Sequence, residues 1–450
     1  MANDNTEPNM KRASESDTDY DCDYHDDDDD DNDADSDIDM EGVEDRLSDL
    51  PDCILIHIMT FLTTKDVVCT SILSRRWKDL WKHVPSLVLC TKDFKFRQMT
   101  RFNDGVSKFL LLRDGSVPLL SVVLHQFSSM RPDIQTSISE YAVMHNVERL
   151  KLHAERFKHL SPSVFSSQTL TSLHLSARRS GLIPKSLSMG ALTSLHLKNF
   201  HFCAADNESL DPFSSCVKLK TLVLDNCDIR NSRILCISNR TLVSLTIHSR
   251  RHAFGEELVL STPSLCSFAF SGIIAWQLSA RINLSFLKEV TIDFDPIVEL
   301  ADTIKDESVV TACLQQASIL IDWLQVFANT RSLTVCSGTL KGLSLIPELL
   351  NTGSPGLDNL QLLIVKLKDR SALLHKRHRA TYFKNVEWKT TLVHAGVVDY
   401  LVRNSPLAEV NAFKREQDII MVVLVRGEKW MMKIGSVTCQ IVFSFTCWHF

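Results

Sequence analysis

The amino-acid sequence predicts an α/β fold in two parts: a short N-terminal unit of three helices, then an irregular solenoid of repeats with a parallel β-sheet on its concave face. Two periodicities predict it. Between Arg46 and Leu89 the apolar residues recur at helical spacing, whereas between Leu119 and Ile292 a strand-like pattern, L-x-x-L-x-L, returns eight times. A third observation sets a boundary ahead of both. Residues 15–45 hold eighteen Asp or Glu and no Lys or Arg, including the run Asp26 to Asp31.

A segment that repels itself and has little to bury does not order, so residues 1–45 are expected to be a disordered acidic tail. The net charge of −6 hides this contrast, because the other residues hold 37 acidic against 49 basic side chains. The tail reads as a solubilising segment, or as one that folds back on the basic body and competes there with an acidic ligand. At 450 residues the chain has room for two or three domains, and 44% hydrophobic with 23% charged residues is ordinary for a globular protein. The thirteen cysteines form no CxxC pair, their number is odd, and no N-terminal apolar segment forms a secretory signal. Reduced thiols in the nucleus and/or cytoplasm are expected. The apolar stretch Ile434 to Phe450 is short for a membrane span and is broken by Ser436, Thr438, Gln440, Ser444 and Thr446, so no membrane partner is expected.

In the first unit, Ile54, Leu55, Ile58, Phe61 and Leu62 make one broad helical stripe. Pro51 suits the first helical turn, and Ser48 and Asp49 are capping types just before it. Val67, Val68, Ile72 and Leu73 follow the polar break Thr63 to Asp66 as a second helix, and Ser74 to Trp81 carries Trp77 and Trp81 at i and i+4 as a third. So small a unit buries too little surface to offset its ordering entropy, and a partner surface would supply the rest. The two tryptophans are placed to join the helical unit to the repeats.

The residues Leu50-Pro51-Asp52, Ile54-Leu55, Ile58, Phe61-Leu62, the run LSRRWKDLW from Leu73 to Trp81 and Val84-Pro85 occur in an order that resembles a plant-type F-box over residues 46–89. The resemblance implies docking on a Skp-type adaptor, and through it on the cullin of an SCF-type ubiquitin ligase. It implies that Leu50, Pro51, Ile54, Leu55, Ile58, Leu62, Val67, Trp77 and Leu80 contribute to that contact or to the small core behind it. The plainer alternative is a helical cap on the next domain.

The repeat is LLSVVL at Leu119, VERLKL at Val147, LTSLHL at Leu170 and Leu192, LKTLVL at Leu219, LVSLTI at Leu242, LCSFAF at Leu265 and LKEVTI at Leu287. Its fourth position steps through Val122, Leu150, Leu173, Leu195, Leu222, Leu245, Phe268 and Val290, at intervals of 28, 23, 22, 27, 23, 23 and 22 residues. Those intervals fit a leucine-rich-repeat array, in which each repeat gives one strand and one return segment and neighbours bury each other's leucines. Only Asp225-Asn226-Cys227 restores the usual Asn or Cys two residues past the last apolar position. Beyond Ile292 the register loosens: RSLTV around Leu333 and LDNLQL over Leu357–Leu362 read as further strands. In the 43-residue gap before Leu333, Val309, Val310, Cys313, Leu314, Ala317, Leu320, Ile321, Leu324 and Phe327 form a helical stripe.

Because leucines of x-L-x-L-x point inward, the alternate residues face the concave surface. That surface runs from Arg149, Lys151 and His153 through His174, His196 and Lys198 to Asp225, Thr246 and His248, with Glu289 and Asp293 near its far end. These first nine are the candidate substrate-binding residues, and the basic end suits an acidic or phosphorylated segment. His174 and His196 fall one repeat apart in one column, within reach of each other, with Lys151 and Val223 flanking them. Hydrogen bonds to adjacent serines or a modest pH response are expected there, and no metal.

The repeats are assigned to residues 90–366. Residues 367–450 resemble the FBD-type ending of plant F-box proteins: a basic cluster His375 to Arg379, a helical stripe of Val397, Val398, Leu401 and Val402, and a strand over Ile419–Val425. The residues from Trp430 onward do not fit that ending. No GxSxG, P-loop, GxGxxG or HExxH pattern occurs, and no cofactor is expected. Nucleic acid is not expected as a partner either, since no basic patch is studded with aromatic residues. The expected function is that of a non-catalytic substrate adaptor of a ubiquitin ligase, binding a target protein through its repeats. The alternative is a leucine-rich-repeat scaffold with no ligase role.

Overall fold

The computed structural model describes residues 47, 49–92, 99–126, 131–157, 160–207, 209–249, 256–294, 307–344, 346, 356–367, 395–403, 405, 408–416, 419–426, 429–434 and 437–441. The acidic tail and the basic cluster at 375–379 lie outside the described residues. The chain divides into two units, Met1–Leu50 and Pro51–Phe450. In the first, the Leu50 N–H donates to the Leu47 carbonyl at 3.3 Å.

The second unit opens with helices α1 (Asp52–Met59) and α2 (Thr64–Cys69). Pro51 stands one place earlier than a first-turn proline: it is the N-cap residue, and its carbonyl accepts from the Ile54 and Leu55 N–H groups at 2.9 and 3.2 Å. Thr63 caps α2, accepting from the Asp66 N–H at 3.3 Å while its hydroxyl donates to the Asp66 carboxylate at 2.7 Å. The expected third α-helix does not form. Turns run over residues 75–79 and a 3₁₀ segment over Leu80–His83, with i→i+3 bonds such as Leu80 N–H to Trp77 O (3.3 Å) in place of a helical ladder.

Strands β1 (Ser86–Cys90), β2 (Ser121–His125), β3 (Arg149–Ala154), β4 (Ser172–Ile183), β5 (Ser194–Asn207) and β6 (Thr221–Asp225) then pair in order, all parallel. β7 (Asp228–Ser232) pairs with the far half of β5, and β8 (Ile234–Ser238) starts a second sheet. The main sheet continues through β9 (Ser244–Ser249), β11 (Ser267–Gly272), β13 (Glu289–Phe294), β14 (Ser332–Cys336) and β15 (Leu362–Leu367). Between them β10 (Glu257–Ser261) and β12 (Gln277–Ala280) join β8 in a three-stranded parallel sheet built from the return segments. β16 (Glu409–Glu416) is the last parallel strand. β17 (Ile419–Arg426), β18 (Lys429–Ile434) and β19 (Val437–Ile441) close the sheet as an antiparallel meander, so residues from Lys429 onward do contribute strands.

The fourth position of every repeat pairs with that of the next, from Val122↔Leu150 to Phe268↔Val290 and on to Val290↔Leu333. A one-residue slip would turn every leucine outward, which fixes the register. Two expectations need correcting. The strand read as LDNLQL lies further along: Leu363, not Leu360, pairs with Leu333. The adjacent Leu362 and Leu363 allow either phase, and neighbour pairing selects the second. Asn226 also has a counterpart in the previous repeat, Asn199. Both adopt positive φ, 50° and 59°, and the Asn199 amide donates to the Ala177 carbonyl at 2.5 Å.

Interval length follows the form of the return segment. Helices α3 (Met99–Leu112) and α4 (Pro132–Met144) fill the first two returns, and α5 (Glu307–Val326) fills the 43-residue gap. Helix α6 (Ser337–Leu343) precedes β15, and α7 (Ala395–Val402), which buries Val397, Val398 and Leu401, precedes β16. α5 is turned relative to the expected stripe: Ala317, Leu320, Trp323, Leu324 and, just beyond the helix, Phe327 are buried, while Leu314 is exposed. The cause is aromatic packing. Trp323 lies 4.5 Å from Trp276 and 5.0 Å from Phe270 between ring centroids, and its Nε1–H donates to the Trp276 carbonyl at 3.2 Å.

Candidate functional site

Two surfaces stand out, one at each side of the junction between helices and sheet. In α1, Leu55 and Met59 are fully buried, whereas Ile54, Ile58 and, just past the helix, Leu62 are exposed and Phe61 is 77% exposed. The stripe read as one face is therefore two, an inner pair and an outer group. Around α2 the same division holds: Val67 is buried, while Val68 is exposed, with Ile72 and Leu73 at 85% and 63%. Seven of the eighteen large apolar side chains left exposed among the described residues lie between Ile54 and Leu73. So many exposed apolar side chains within twenty residues make this segment a candidate interaction surface.

Behind this surface sits a small core, and it is continuous with the sheet. Trp77, Leu80, Trp81 and Val84 are buried, and the Trp81 ring lies 5.2 Å from Phe109 of α3. The Val88 N–H of β1 donates to the Thr64 hydroxyl of α2 at 2.9 Å. Buried Arg113 donates through Nη2 to the carbonyls of Val84, Val117 and Pro118 at 3.4, 3.1 and 3.3 Å. The boundary drawn at residue 89 thus falls inside β1, and the helical segment begins the array.

Of the nine residues assigned to the docking contact or its core, Pro51, Ile54, Ile58 and Leu62 are exposed. Leu55, Val67, Trp77 and Leu80 are buried, and Leu50 is half-buried. Sequence reasoning left Phe61, Val68, Ile72 and Leu73 off that set. Their burial could not be read from spacing, because apolar residues around a short helix fit an inner or an outer face equally.

On the concave face, Lys151, His174, His196, Val223 and Thr246 form one column of Cα partners. The next runs His125, His153, Ser176, Lys198, Asp225 and His248. Exposed Arg149 stands beside them, so the nine predicted residues occupy one continuous patch. Neighbouring rings touch in series: His125–His153 at 4.9 Å, His153–His174 at 4.9 Å and His174–His196 at 4.0 Å. His125 was missed, although alternation along Ser121–Val123–His125 places it on this face.

The electrostatics of the patch follow from crowding. Burial, the neighbouring histidines and Lys151 lower the His153 pKa to about 4 and that of His174 to about 3. Burial and Lys151 lower His125, and burial lowers His196 against the opposing pull of Asp225. The imidazoles are therefore neutral near pH 7. Lys198 is paired with Asp225 at 3.2 Å, and His248 Nδ1 lies 2.5 Å from the Ser271 hydroxyl. Among those residues no group of three or more His, Cys, Asp or Glu is arranged to hold a metal ion.

A small helical unit with an outward apolar surface runs into a parallel repeat array, and the comparisons with known proteins fall on both parts. The F-box domain family model matches residues 47–89. An F-box/LRR-repeat protein of Arabidopsis thaliana is 28% identical over 360 residues, covering 71% of this chain and 92% of that protein. An F-box/FBD/LRR-repeat protein of the same plant is 30% identical over 325 residues, 68% of this chain and 65% of its own length. A further F-box/LRR-repeat protein is 30% identical over 234 residues, and the chain spans about half of it, 54%. The chain thus carries an F-box match at its helical segment and is similar over half or more of its length to these plant F-box/leucine-rich-repeat proteins.

Proposed function

We propose that the chain is the substrate-recognition subunit of an SCF-type cullin-RING ubiquitin ligase, acting in the nucleus and/or cytoplasm. The F-box binds a Skp-type adaptor and, through it, the cullin. The repeats hold a target protein, and residues from 367 form an FBD-like ending. No catalytic group of its own is required, because holding the target beside the ubiquitin-conjugating enzyme raises the effective concentration of the reacting lysine.

The observation that carries the reading is the exposed apolar group from Ile54 to Leu73 within the matched F-box. Fully burying a side chain of the size of Phe61 or Ile72 is worth about 1.5–3 kcal/mol, so covering several supplies a tight contact. Co-purification tests it. The chain should bring down both Skp-type and cullin subunits, and the double substitution Leu50→Ala, Pro51→Ala should lose both. Recovery of a bound protein target without either subunit would support a scaffold with no ligase role instead.

A further inference from the structure

Resting on the reading that the repeats hold a target, we propose that the concave face over β2–β5 is an anion site that takes an acidic peptide segment, held by Arg149, Lys151 and the imidazoles of His153 and His196. Three observations converge there. Among the described residues Lys151 and Arg149 have no carboxylate partner, in contrast to Lys198, which Asp225 neutralises. Nε2 of His153 and Nε2 of His196 are buried without a hydrogen-bond partner. The hydroxyls of Ser172, Ser176 and Ser194, on the same face, make no side-chain hydrogen bond among the described residues.

A buried imidazole nitrogen that bonds to nothing is costly, and the two orientations of the ring are nearly isosteric. A half-turn about χ2 exchanges nitrogen and carbon positions and brings a donor to the sheet surface. A carboxylate above Lys151 would accept from the ammonium and from such a ring together. The charged run is short, ending at Asp225 on β6, so it spans four strands or about 15 Å. That length fits about four or five extended residues. No Phe, Tyr or Trp stands at the concave positions of β2–β5, so only the crowded imidazoles and Arg149 could stack on a nucleic-acid base.

Binding is coupled to protons. The groups that face one another are His125 on β2, Arg149, Lys151 and His153 on β3, and His174 on β4. His196 and Lys198 on β5, Asp225 on β6 and His248 on β9 complete the set. In the free chain burial, and after it repulsion from the neighbouring histidines and lysines, holds the central rings neutral, with His153 down at about 4. An anion opposes that repulsion and raises the ring pKa toward its ordinary value, so a proton is taken up and affinity rises as pH falls below about 6.5.

The test is fluorescence anisotropy on the full chain with a labelled (Asp-Ser)₅ peptide, an (Asn-Ser)₅ control, the same acidic peptide with one serine phosphorylated, and a ten-nucleotide oligo-dT. The acidic peptide should bind, tighten threefold or more from pH 7.5 to 5.5, and weaken at least fivefold with Lys151→Ala. Lys151→Arg should restore it, and His153→Gln with His196→Gln should flatten the pH response. Tighter binding of the phosphorylated peptide would name phosphate as the preferred form of the anion. Equal binding of (Asn-Ser)₅ or of oligo-dT, or an unchanged affinity in Lys151→Ala, overturns the proposal. Co-purification of the Skp-type adaptor by the same variants separates the two failures. If adaptor binding stays and peptide binding is absent, only the anion site is wrong.

Discussion

The F-box segment and the repeat array are built from the same leucines and isoleucines, yet they dispose of them in opposite directions. From Val122 to Ile292 the fourth and sixth positions of the repeat pattern are at most 1% exposed, while seven large apolar side chains between Ile54 and Leu73 face outward. The array completes its own core because each repeat lies on the next. The F-box covers Leu55, Met59, Val67 and the Trp77–Val84 group, and its outer apolar group stays exposed. Polar chemistry is reversed in the same way. The array turns its charges and imidazoles to its open face, whereas the F-box uses Thr63, Thr64 and the Asp52–Arg76 ion pair (2.7 Å) to hold its own frame.

That difference can be broken at either end. The largest effect is expected in the array, where Trp323 is fully buried against Trp276, Phe270 and Phe268. Trp323→Ala should lower unfolding free energy by about 4 kcal/mol in chemical denaturation. Next comes Gly272, which ends β11 at φ +121°, where an added Cβ would lie 1.8 Å from the Ser249 carbonyl oxygen. Gly272→Ala should cost about 2 kcal/mol or more, seen as a lower thermal midpoint. A milder perturbation is acid. The His153 and His174 pKa values in the folded chain, about 4 and about 3, lie below the ordinary 6.5. The unfolded chain therefore binds more protons between those values, so stability is full above 6.5 and is lost as pH falls toward 4. Thermal midpoints measured from pH 7 to pH 4.5 should fall, and the fall should be shallower in His153→Gln, His174→Gln.

Most of the array was legible because period-two alternation with buried leucines leaves one register. Leu150, Leu173, Leu195, Leu222, Leu245, Phe268 and Val290 pair as their spacing predicts. Legibility failed where two structures share one pattern. Leu87 and Leu89 close the F-box motif and also form β1. Ile234–Ile237 and Leu258–Leu260 are short apolar runs that nothing local distinguishes from loop or helix, and they form the second sheet. The phase of α5 depended on Trp276, more than forty residues away in sequence. On the concave face the columns could be read and the close approach of the histidines followed from them. Which rings lose their charge depended on how deeply they sit, which alternation alone does not state.

The claim that the outer apolar group of the F-box is held for a partner is tested most directly by Phe61→Ala, Ile72→Ala, with thermal unfolding and affinity for a purified Skp-type adaptor measured on the same protein. Both side chains are largely exposed, at 77% and 85%. Stability should therefore stay within about 0.5 kcal/mol of the parent, while adaptor affinity falls tenfold or more. A variant that binds the adaptor as tightly as the parent, or that loses stability in step with affinity, would contradict it.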